Sequence, residues 1–286
     1  MRLADLRRHS HGRGLLEWVA LGRTLEARRR IDRATHDLES WRASCERPAV
    51  SVSGGKDSTL LLLLARRVDP DIVAMRADPP NGYSDRAAHV EQLAQAAGGP
   101  WDVVPYPWDV GAVLDGREPY PHGLKIRRLH EHRRDRGFDG LAMGVRAAES
   151  KPRLLHFRLR GTSYQWADGT RVCCPLAWWT AEQVVGAILA LDALPLSPVY
   201  YRTEGMPARG LEGLRDGTWW PHGRSPLGDE YSSWLRRHYP EHVEDFERAQ
   251  RLDPQREEWV VTGRLGDAVT HRDNMARDGR ARHDTV

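Results

Sequence analysis

The fold is decided by the stretch AVSVSGGKDSTLLLLLA, which occupies residues 49–65. It predicts a short strand, a glycine-rich turn and the start of a helix that is buried along its five consecutive leucines. Gly54 and Gly55 permit backbone angles closed to other residues and let an oxyanion approach the main-chain amides. The first amides of a helix have no intrahelical partners, and the helix dipole adds positive charge there. The stretch therefore predicts an anion-binding turn.

Four polar side chains in this turn suit a bound anion. Ser53 and Ser58 supply hydroxyl donors, and Lys56 adds a full positive charge. Asp57 is explained either as a ligand for Mg²⁺ or as a carboxylate at a helix N-terminus. The turn is not a Walker A loop, because that motif places four residues between its first glycine and the following Gly-Lys. An ordinary strand-to-helix turn capped by Ser53 is the alternative.

Strands and helices alternate on both sides of this turn, with a proline-rich loop that runs to residue 123. The alternation predicts an α/β fold with a doubly wound, mostly parallel sheet and helices on both faces. The predicted strands cover 49–52, 71–75, 101–104, 140–144 and 172–175, and the predicted helices begin near Asp57 or cover 85–97, 123–136 and 181–191.

The pattern divides the chain into four parts. An arginine-rich helical extension is predicted over 1–47, an α/β domain that carries the anion-binding turn over 48–201, a helical region that covers the substrate over 202–263, and a disordered tail over 264–286. Apolar spacing in the extension indicates amphipathic helices packed on the main body. A basic arm for nucleic acid is the alternative, which the interleaved Asp and Glu residues disfavour.

Composition narrows the classes of protein further. The chain lacks the run of roughly 18 apolar residues that a membrane helix needs, and its N-terminus lacks the apolar region of a secretory signal; we therefore predict a cytoplasmic protein. The net charge of +3 does not by itself imply a nucleic-acid partner. Of 43 basic residues only Lys56, Lys125 and Lys151 are lysine, which singles out these positions.

A second charged segment, GVRAAESKPR at residues 144–153, follows a predicted strand end. Open parallel sheets bind ligands at such ends. Arginine can clamp phosphate or sulfate through two hydrogen bonds, and Glu149 can orient Arg146 or a ribose hydroxyl. The alternative is a charged loop that leads into a helix.

SGGKDS at residues 53–58 resembles the PP-loop of the N-type ATP pyrophosphatase superfamily. Residues 144–153 match the Gly-x-Arg-x-x-Glu-Ser-x-x-Arg signature of the branch that contains phosphoadenosine phosphosulfate (PAPS) reductase, the small subunit of ATP sulfurylase and FAD synthetase. The resemblance covers about 48–201 and implies an adenine nucleotide α-hydrolase-like fold. It also implies cleavage of ATP between the α and β phosphates, with pyrophosphate held in the loop.

The resemblance assigns roles to individual residues. Lys125 lies where family members place a lysine that reaches the nucleotide, and its alternative is a solvated helix face. Asp78 matches the acidic residue after the second strand, and its alternative is a turn aspartate. Lys56, Asp57 and Arg146 are implied as catalytic, with Asp57 as the Mg²⁺ ligand. The implied nucleotide-binding residues are Ser53, Gly54, Gly55, Lys56, Asp57, Ser58, Asp78, Lys125, Gly144, Arg146, Glu149, Ser150, Lys151 and Arg153.

The cysteines bear on which chemistry the resemblance implies. PAPS reductases of this branch use a cysteine near the C-terminus, whereas no cysteine follows Cys174 here. The paired cysteines that hold an iron–sulfur cluster in related adenylylsulfate reductases are also missing, so we expect no such cluster. Thiol-based PAPS reduction is therefore disfavoured, and Cys45, Cys173 and Cys174 are predicted to be reduced and mostly buried.

Three hypotheses remain at this stage. The first is cleavage of ATP with transfer of AMP to an unknown small-molecule acceptor, with ATP (or PAPS) and Mg²⁺ as ligands. The second is a protein that binds nucleotide or PAPS, or a subunit that needs a partner subunit. The third, supported only by the arginine-rich extension, is an accessory to nucleic-acid modification. Residues 217–224 are predicted either to close over the substrate or to form an aromatic-packed loop.

Overall fold

The computed structural model describes residues 12–118, 121, 123–202 and 228–251. Two predictions made from the sequence, for the loop at 217–224 and for the tail at 264–286, concern residues outside these ranges. The α-helices of the described residues are α1 (Gly12–Gly22), α2 (Leu25–Ala43), α3 (Lys56–Val68), α4 (Arg86–Ala97), α5 (Val110–Leu114), α6 (Leu124–Asp135), α7 (Lys151–Arg160), α8 (Ala181–Leu191), α9 (Gly228–His238) and α10 (Val243–Arg251).

One sheet lies at the centre of the described residues, with its strands in the order β3-β2-β1-β4-β6-β5. Five strands are parallel, and β5 pairs with β6 in the antiparallel sense. The predicted mostly parallel sheet is therefore confirmed. The strands are β1 (Pro48–Ser51), β2 (Val73–Asp78), β3 (Trp101–Pro105), β4 (Gly140–Met143), β5 (Ser163–Gln165) and β6 (Arg171–Cys173).

The strand order reverses between β1 and β4. The chain runs outward from β1 through β2 to β3, and then returns so that Ser51 of β1 pairs with Met143 of β4. Successive side chains of a strand point to opposite faces of the sheet. Helices pack against both of these faces. Val50 packs with α3 and α8 in the larger core, whereas Ala49 packs with Leu129 of α6 in a smaller one.

Helix α3 is buried nearly all round because it is packed between the sheet and its neighbouring helices. Leu60, Leu61, Leu62 and Leu64 have no exposed surface, and Leu63 is 7% exposed. A helix that is apolar on every side belongs inside a protein, so the leucine run fixes α3 against the sheet. This burial fixes the position of the first turn of α3. It also fixes the glycine-rich turn at residues 53–58, which we call the phosphate turn.

The amphipathic helices predicted in the N-terminal extension are present as α1 and α2. Helix α1 packs against α8 at two glycines: a Cβ added to Gly22 would lie 2.0 Å from the carbonyl oxygen of Gly186. Such an approach excludes any side chain at these positions. Helix α1 therefore packs against α8 of the α/β domain, as the sequence predicted.

Two features of the sequence prediction were wrong in detail. The proline-rich loop before residue 123 contains the short helix α5, whose N-terminus is capped by Asp109 through a 2.9 Å hydrogen bond from the Ala112 amide. Strand β5 was not predicted, since three residues are too few for a periodic pattern. No helix among the described residues is long and apolar enough to cross a membrane.

Candidate nucleotide site

The two charged segments meet at the carboxyl ends of β1 and β4. Because the strand order reverses between these strands, this is the switch point at which open α/β sheets bind ligands. Contact is close enough to require glycine: a Cβ on Gly144 would lie 2.9 Å from the carbonyl carbon of Asp57 and 3.0 Å from the amide nitrogen of Ser58. Gly144 thus lets the end of β4 lie directly against the first turn of α3.

The backbone of the phosphate turn leaves the start of α3 open. Gly54 has a φ of 90°, which strongly favours glycine. Gly55 is the N-cap of α3 and has no side chain that could bond the first amides of the helix. Amides of the first turn that lack a capping side chain can bind an anion.

The two serines of the turn contact each other and the backbone of the turn. Ser58 Oγ accepts a hydrogen bond from the Ser53 amide at 3.1 Å and donates to the carbonyl of Gly55 at 3.0 Å. The hydroxyls of Ser53 and Ser58 lie 3.2 Å apart. These contacts hold the turn in shape, and the donor role of the serines toward a ligand stays a prediction.

Three charged groups form a buried centre beneath the turn. Lys56 Nζ lies 2.9 Å from Asp57 Oδ2, and Arg146 Nε lies 2.5 Å from Asp57 Oδ1. Lys56 is 3% exposed and Arg146 is 1% exposed. Buried charges persist when they are paired, and two cations around one carboxylate leave a net charge of about +1. We call these three residues the charge centre.

Arg146 faces into the protein rather than into open solvent. The 2.5 Å contact with Asp57 is an ion pair without the alignment of a good hydrogen bond, and Arg146 Nη1 donates to the carbonyl of Trp179 at 3.2 Å. The sequence predicts an arginine that can clamp an anion, and the described contacts make Arg146 a partner of Asp57.

The rest of the second segment forms the start of α7. Glu149 accepts a hydrogen bond from the Arg146 amide at 2.9 Å and forms an ion pair with Arg153. Ser150 caps α7 by accepting from the Arg153 amide at 3.4 Å. Lys151, the first residue of α7, is exposed. Glu149 therefore orients the backbone of Arg146 and the side chain of Arg153.

Asp78 lies at the end of β2, on the same edge of the sheet. Its Oδ1 is 2.8 Å from Arg76 Nη2 and 3.3 Å from Arg86 Nη1, and its side chain is 49% exposed. Asp78 is thus held by two arginines on one side and open to solvent on the other.

Lys125 lies in the first turn of α6, after Gly123 with its φ of 71°. Its side chain is exposed, yet desolvation first, and repulsion from Arg86 second, lower the pKa of its ammonium group. Because the side chain is exposed, the lowering of the pKa is limited by solvent screening.

Three buried residues contact the phosphate turn without having been predicted to do so. The hydroxyl of Tyr200 accepts a hydrogen bond from the Lys56 amide at 3.2 Å, and its ring lies 5.4 Å from Lys56 Nζ. Arg86 and His89 of α4 bond the carbonyls of Ser53 and Gly54. No local sequence pattern distinguishes Arg86 or His89.

The three cysteines lie in the core as unreactive thiols. Cys45, Cys173 and Cys174 are all buried. Burial raises the pKa of Cys173 and of Cys174 to about 12, and it also raises the pKa of Cys45. Since the thiolate is the nucleophile, none of the three is poised for attack at neutral pH.

A glycine turn at the switch point, open helix amides and a buried lysine together define a nucleotide-binding protein of the PP-loop class. The chain belongs to the phosphoadenosine phosphosulfate reductase domain family, whose sequence model matches residues 47–233. This agrees with the resemblance inferred from the two motifs.

Individual proteins resemble this chain at low sequence identity. A sulfate adenylyltransferase subunit 2 of Alkalilimnicola ehrlichii is 25% identical over 229 residues, which cover 68% of this chain and 72% of the relative. The corresponding subunit of Caulobacter vibrioides is 25% identical over 201 residues, which cover 59% of this chain and 63% of the relative.

Solved structures resemble the chain more loosely. A PAPS reductase from Candida auris is 12% identical with a TM-score of 0.46, and the likeness covers 57% of this chain and 81% of that one. An FMN adenylyltransferase from Candida glabrata is 13% identical with a TM-score of 0.48, and covers 71% and 69%. These likenesses are too loose to transfer the role of any residue.

Proposed function

We propose that the protein cleaves ATP between its α and β phosphates and transfers the AMP part to an anionic small-molecule acceptor. The observation that carries this proposal is the charge centre of Lys56, Asp57 and Arg146, set beneath the open amides of α3 at the switch point of the sheet. The names of the relatives, which are sulfate adenylyltransferase subunits, support the same reaction class.

The reaction requires stabilisation of a leaving pyrophosphate. An oxygen of the acceptor attacks the α phosphorus, the bond to the bridging oxygen breaks, and pyrophosphate leaves with the additional negative charge. We assign the amides of Asp57 and Ser58 and the ammonium of Lys56 to that charge, since the Lys56 amide already donates to Tyr200. Donors fixed before the reaction need no reorganisation, and removal of one such donor typically slows catalysis about 100-fold or more.

Asp57 and Arg146 act on Lys56 in this mechanism. A lone carboxylate beside Lys56 would cancel the positive charge that the pyrophosphate needs. Arg146 offsets the carboxylate from the other side, so that the net charge of the centre stays positive. Arg146 is in this view a positioning residue, because its side chain contacts Asp57 and the carbonyl of Trp179.

Further cations line the rim of the site. Lys151 and Arg153 lie at the start of α7, and Lys125 lies at the start of α6. Helix N-termini and cations at one edge favour anions. We assign these three residues to the acceptor or to the nucleotide phosphates, and Asp78 to the nucleoside side of the site.

Asp57 fits a magnesium ion only as a single oxygen ligand. Both of its oxygens already lie beside a cation, and the described residues contain no group of three or more His, Cys, Asp or Glu side chains that could hold a metal by themselves. Magnesium often binds through one or two carboxylates and the phosphates of its nucleotide. When bound, it would neutralise charge on the pyrophosphate.

The relatives are named as subunits, and we extend this to the chain as a proposal: a partner subunit completes the activity. The experiment purifies the protein together with any subunit that it binds, and incubates the preparation with ATP labelled at the α and, separately, at the γ phosphate, alone and with candidate anions such as sulfate. The expected products are an AMP-containing species and pyrophosphate. Release of ADP and phosphate would contradict the proposal.

A second candidate is a protein that binds PAPS without reducing it. The buried thiols favour it over PAPS reduction, because Cys173 and Cys174 have a pKa of about 12 and no exposed surface. Tight PAPS binding without release of sulfite or of any nucleotide product would support this candidate.

A further inference from the structure

Helix α4 presents two buried polar side chains to the phosphate turn. Arg86 is 4% exposed and His89 is 2% exposed, and their spacing of three residues places them on one face of the helix. Arg86 Nη2 donates to the carbonyl of Ser53 at 3.3 Å, and His89 Nε2 lies 3.0 Å from the carbonyl of Gly54. Because a carbonyl only accepts, His89 carries a hydrogen on Nε2.

These two contacts fix the orientation of two successive peptide groups. In a trans peptide the C=O and N–H bonds point in opposite directions, and the described chain contains no cis peptide. Carbonyls of Ser53 and Gly54 that point at α4 therefore turn the amides of Gly54 and Gly55 away from it. Gly54, with its φ of 90°, is a residue at which such a peptide could otherwise rotate.

We propose that Arg86 and His89 are positioning residues that hold the phosphate turn with its amides, rather than its carbonyls, directed at the bound pyrophosphate group. The inference rests on the proposed function, since it assumes that the turn binds pyrophosphate. The Gly54 carbonyl also accepts from Thr59 Oγ1, at the longer distance of 3.4 Å. Loss of Arg86 or His89 therefore weakens the hold on these carbonyls, and a carbonyl that turns toward the ligand repels its phosphate oxygens through its partial negative charge.

Helix α4 is itself anchored at its first residues. Asp85, its N-cap, makes no capping hydrogen bond to the helix; its carboxylate instead lies 2.8 Å from Arg202 Nη2 and 3.2 Å from the hydroxyl of Tyr239. Arg86 is also paired with Asp78 of β2. Asp78 therefore holds the side chain of Arg86, and Arg202 and Tyr239 hold the start of α4, without any ligand. A preorganised site requires such support.

The test replaces the donor of His89 and measures pyrophosphate affinity. Glutamine places an amide N–H near the position of Nε2, whereas leucine has a comparable size and no donor. By isothermal titration with magnesium pyrophosphate, we expect His89→Leu to bind about tenfold more weakly than the unmodified protein, and His89→Gln to bind within about threefold of it. Rescue by glutamine separates a lost donor from a general loss of packing.

A matched control lies on the same helix. Leu93 is fully buried in the core beneath α4, so Leu93→Ala should lower the melting temperature and leave pyrophosphate affinity within about twofold of the unmodified protein. If His89→Leu does not fold, His89→Asn replaces it, because its shorter amide does not reach the carbonyl; it should bind about tenfold more weakly than His89→Gln.

Equal affinity of the leucine and unmodified proteins, or equal weakness of the glutamine and leucine variants, would overturn the inference while leaving the proposed function standing. Failure of the unmodified protein to bind pyrophosphate at all would overturn both.

Discussion

Arg146 Nε lies 2.5 Å from Asp57 Oδ1, and the arginine is almost wholly shielded from solvent. The other oxygen of the same carboxylate lies 2.9 Å from Lys56 Nζ, so Asp57 links the two cations. We therefore expect Arg146 to support Asp57 within the nucleotide site, and we expect its loss to reduce stability.

Arg146→Met should destabilise the protein by at most about 3 kcal/mol, because a buried ion pair loses one partner while Asp57 keeps Lys56 as the other. Urea unfolding of the single variants, and of Arg146→Met combined with Asp57→Asn, measures this. The double variant should lose less stability than the sum of the single losses. Additive losses would show that the two groups do not interact.

Gly144→Ala should destabilise the protein by about 1–3 kcal/mol and weaken ATP binding, because the new Cβ would lie 2.9 Å from the backbone of Asp57. Thermal unfolding and titration with Mg·ATP measure the two effects. Ala148→Ser, which adds one atom at an exposed position of the same segment, is the control and should change neither. An unaffected Gly144→Ala variant would contradict the close approach of β4 to α3.

Nucleotide binding should weaken at alkaline pH through Lys125. Desolvation and the neighbouring Arg86 lower the pKa of its ammonium, so the group loses its proton, and its attraction for phosphate, at lower pH than an ordinary lysine. Dissociation constants for Mg·ATP measured from about pH 7 to about pH 10 should rise in the unmodified protein. Lys125→Met should show a shallower rise. The same slope in both proteins would exclude Lys125 from the site.

The cysteines should resist alkylation in the folded protein. Burial raises the pKa of Cys173 and Cys174 to about 12, so little thiolate is present at neutral pH. Iodoacetamide labelling followed by mass spectrometry should modify all three cysteines of the chain in urea and none rapidly without it. Rapid labelling of Cys174 in the folded protein would revive thiol-based chemistry.

The parts of the site that are local in sequence could be predicted from it. The strand, the two glycines and the leucine-rich helix at 49–65 lie within one strand–turn–helix unit, so their pattern determines their structure. The second segment was identified because it too follows a strand end. Both predictions needed only the rule that parallel strands bring their carboxyl ends to one edge.

The contacts that depend on tertiary packing could not be predicted. The ion pair between Asp57 and Arg146 joins residues on different strand ends, and the bond from His89 to Gly54 depends on how α4 packs beside α3. Nothing in the neighbourhood of His89 distinguishes a buried donor from a surface residue.

The most direct test of the central claim is a pair of calorimetric titrations, with Mg·ATP and with PAPS, on the unmodified protein, on Lys56→Ala and on Arg67→Ala. Arg67 is exposed near the opposite end of α3, so its variant removes an equal charge away from the site. We predict that ATP binds more tightly than PAPS, that Lys56→Ala weakens ATP binding at least about tenfold, and that Arg67→Ala does not. Tighter binding of PAPS, or ATP binding that is indifferent to Lys56, would contradict the account.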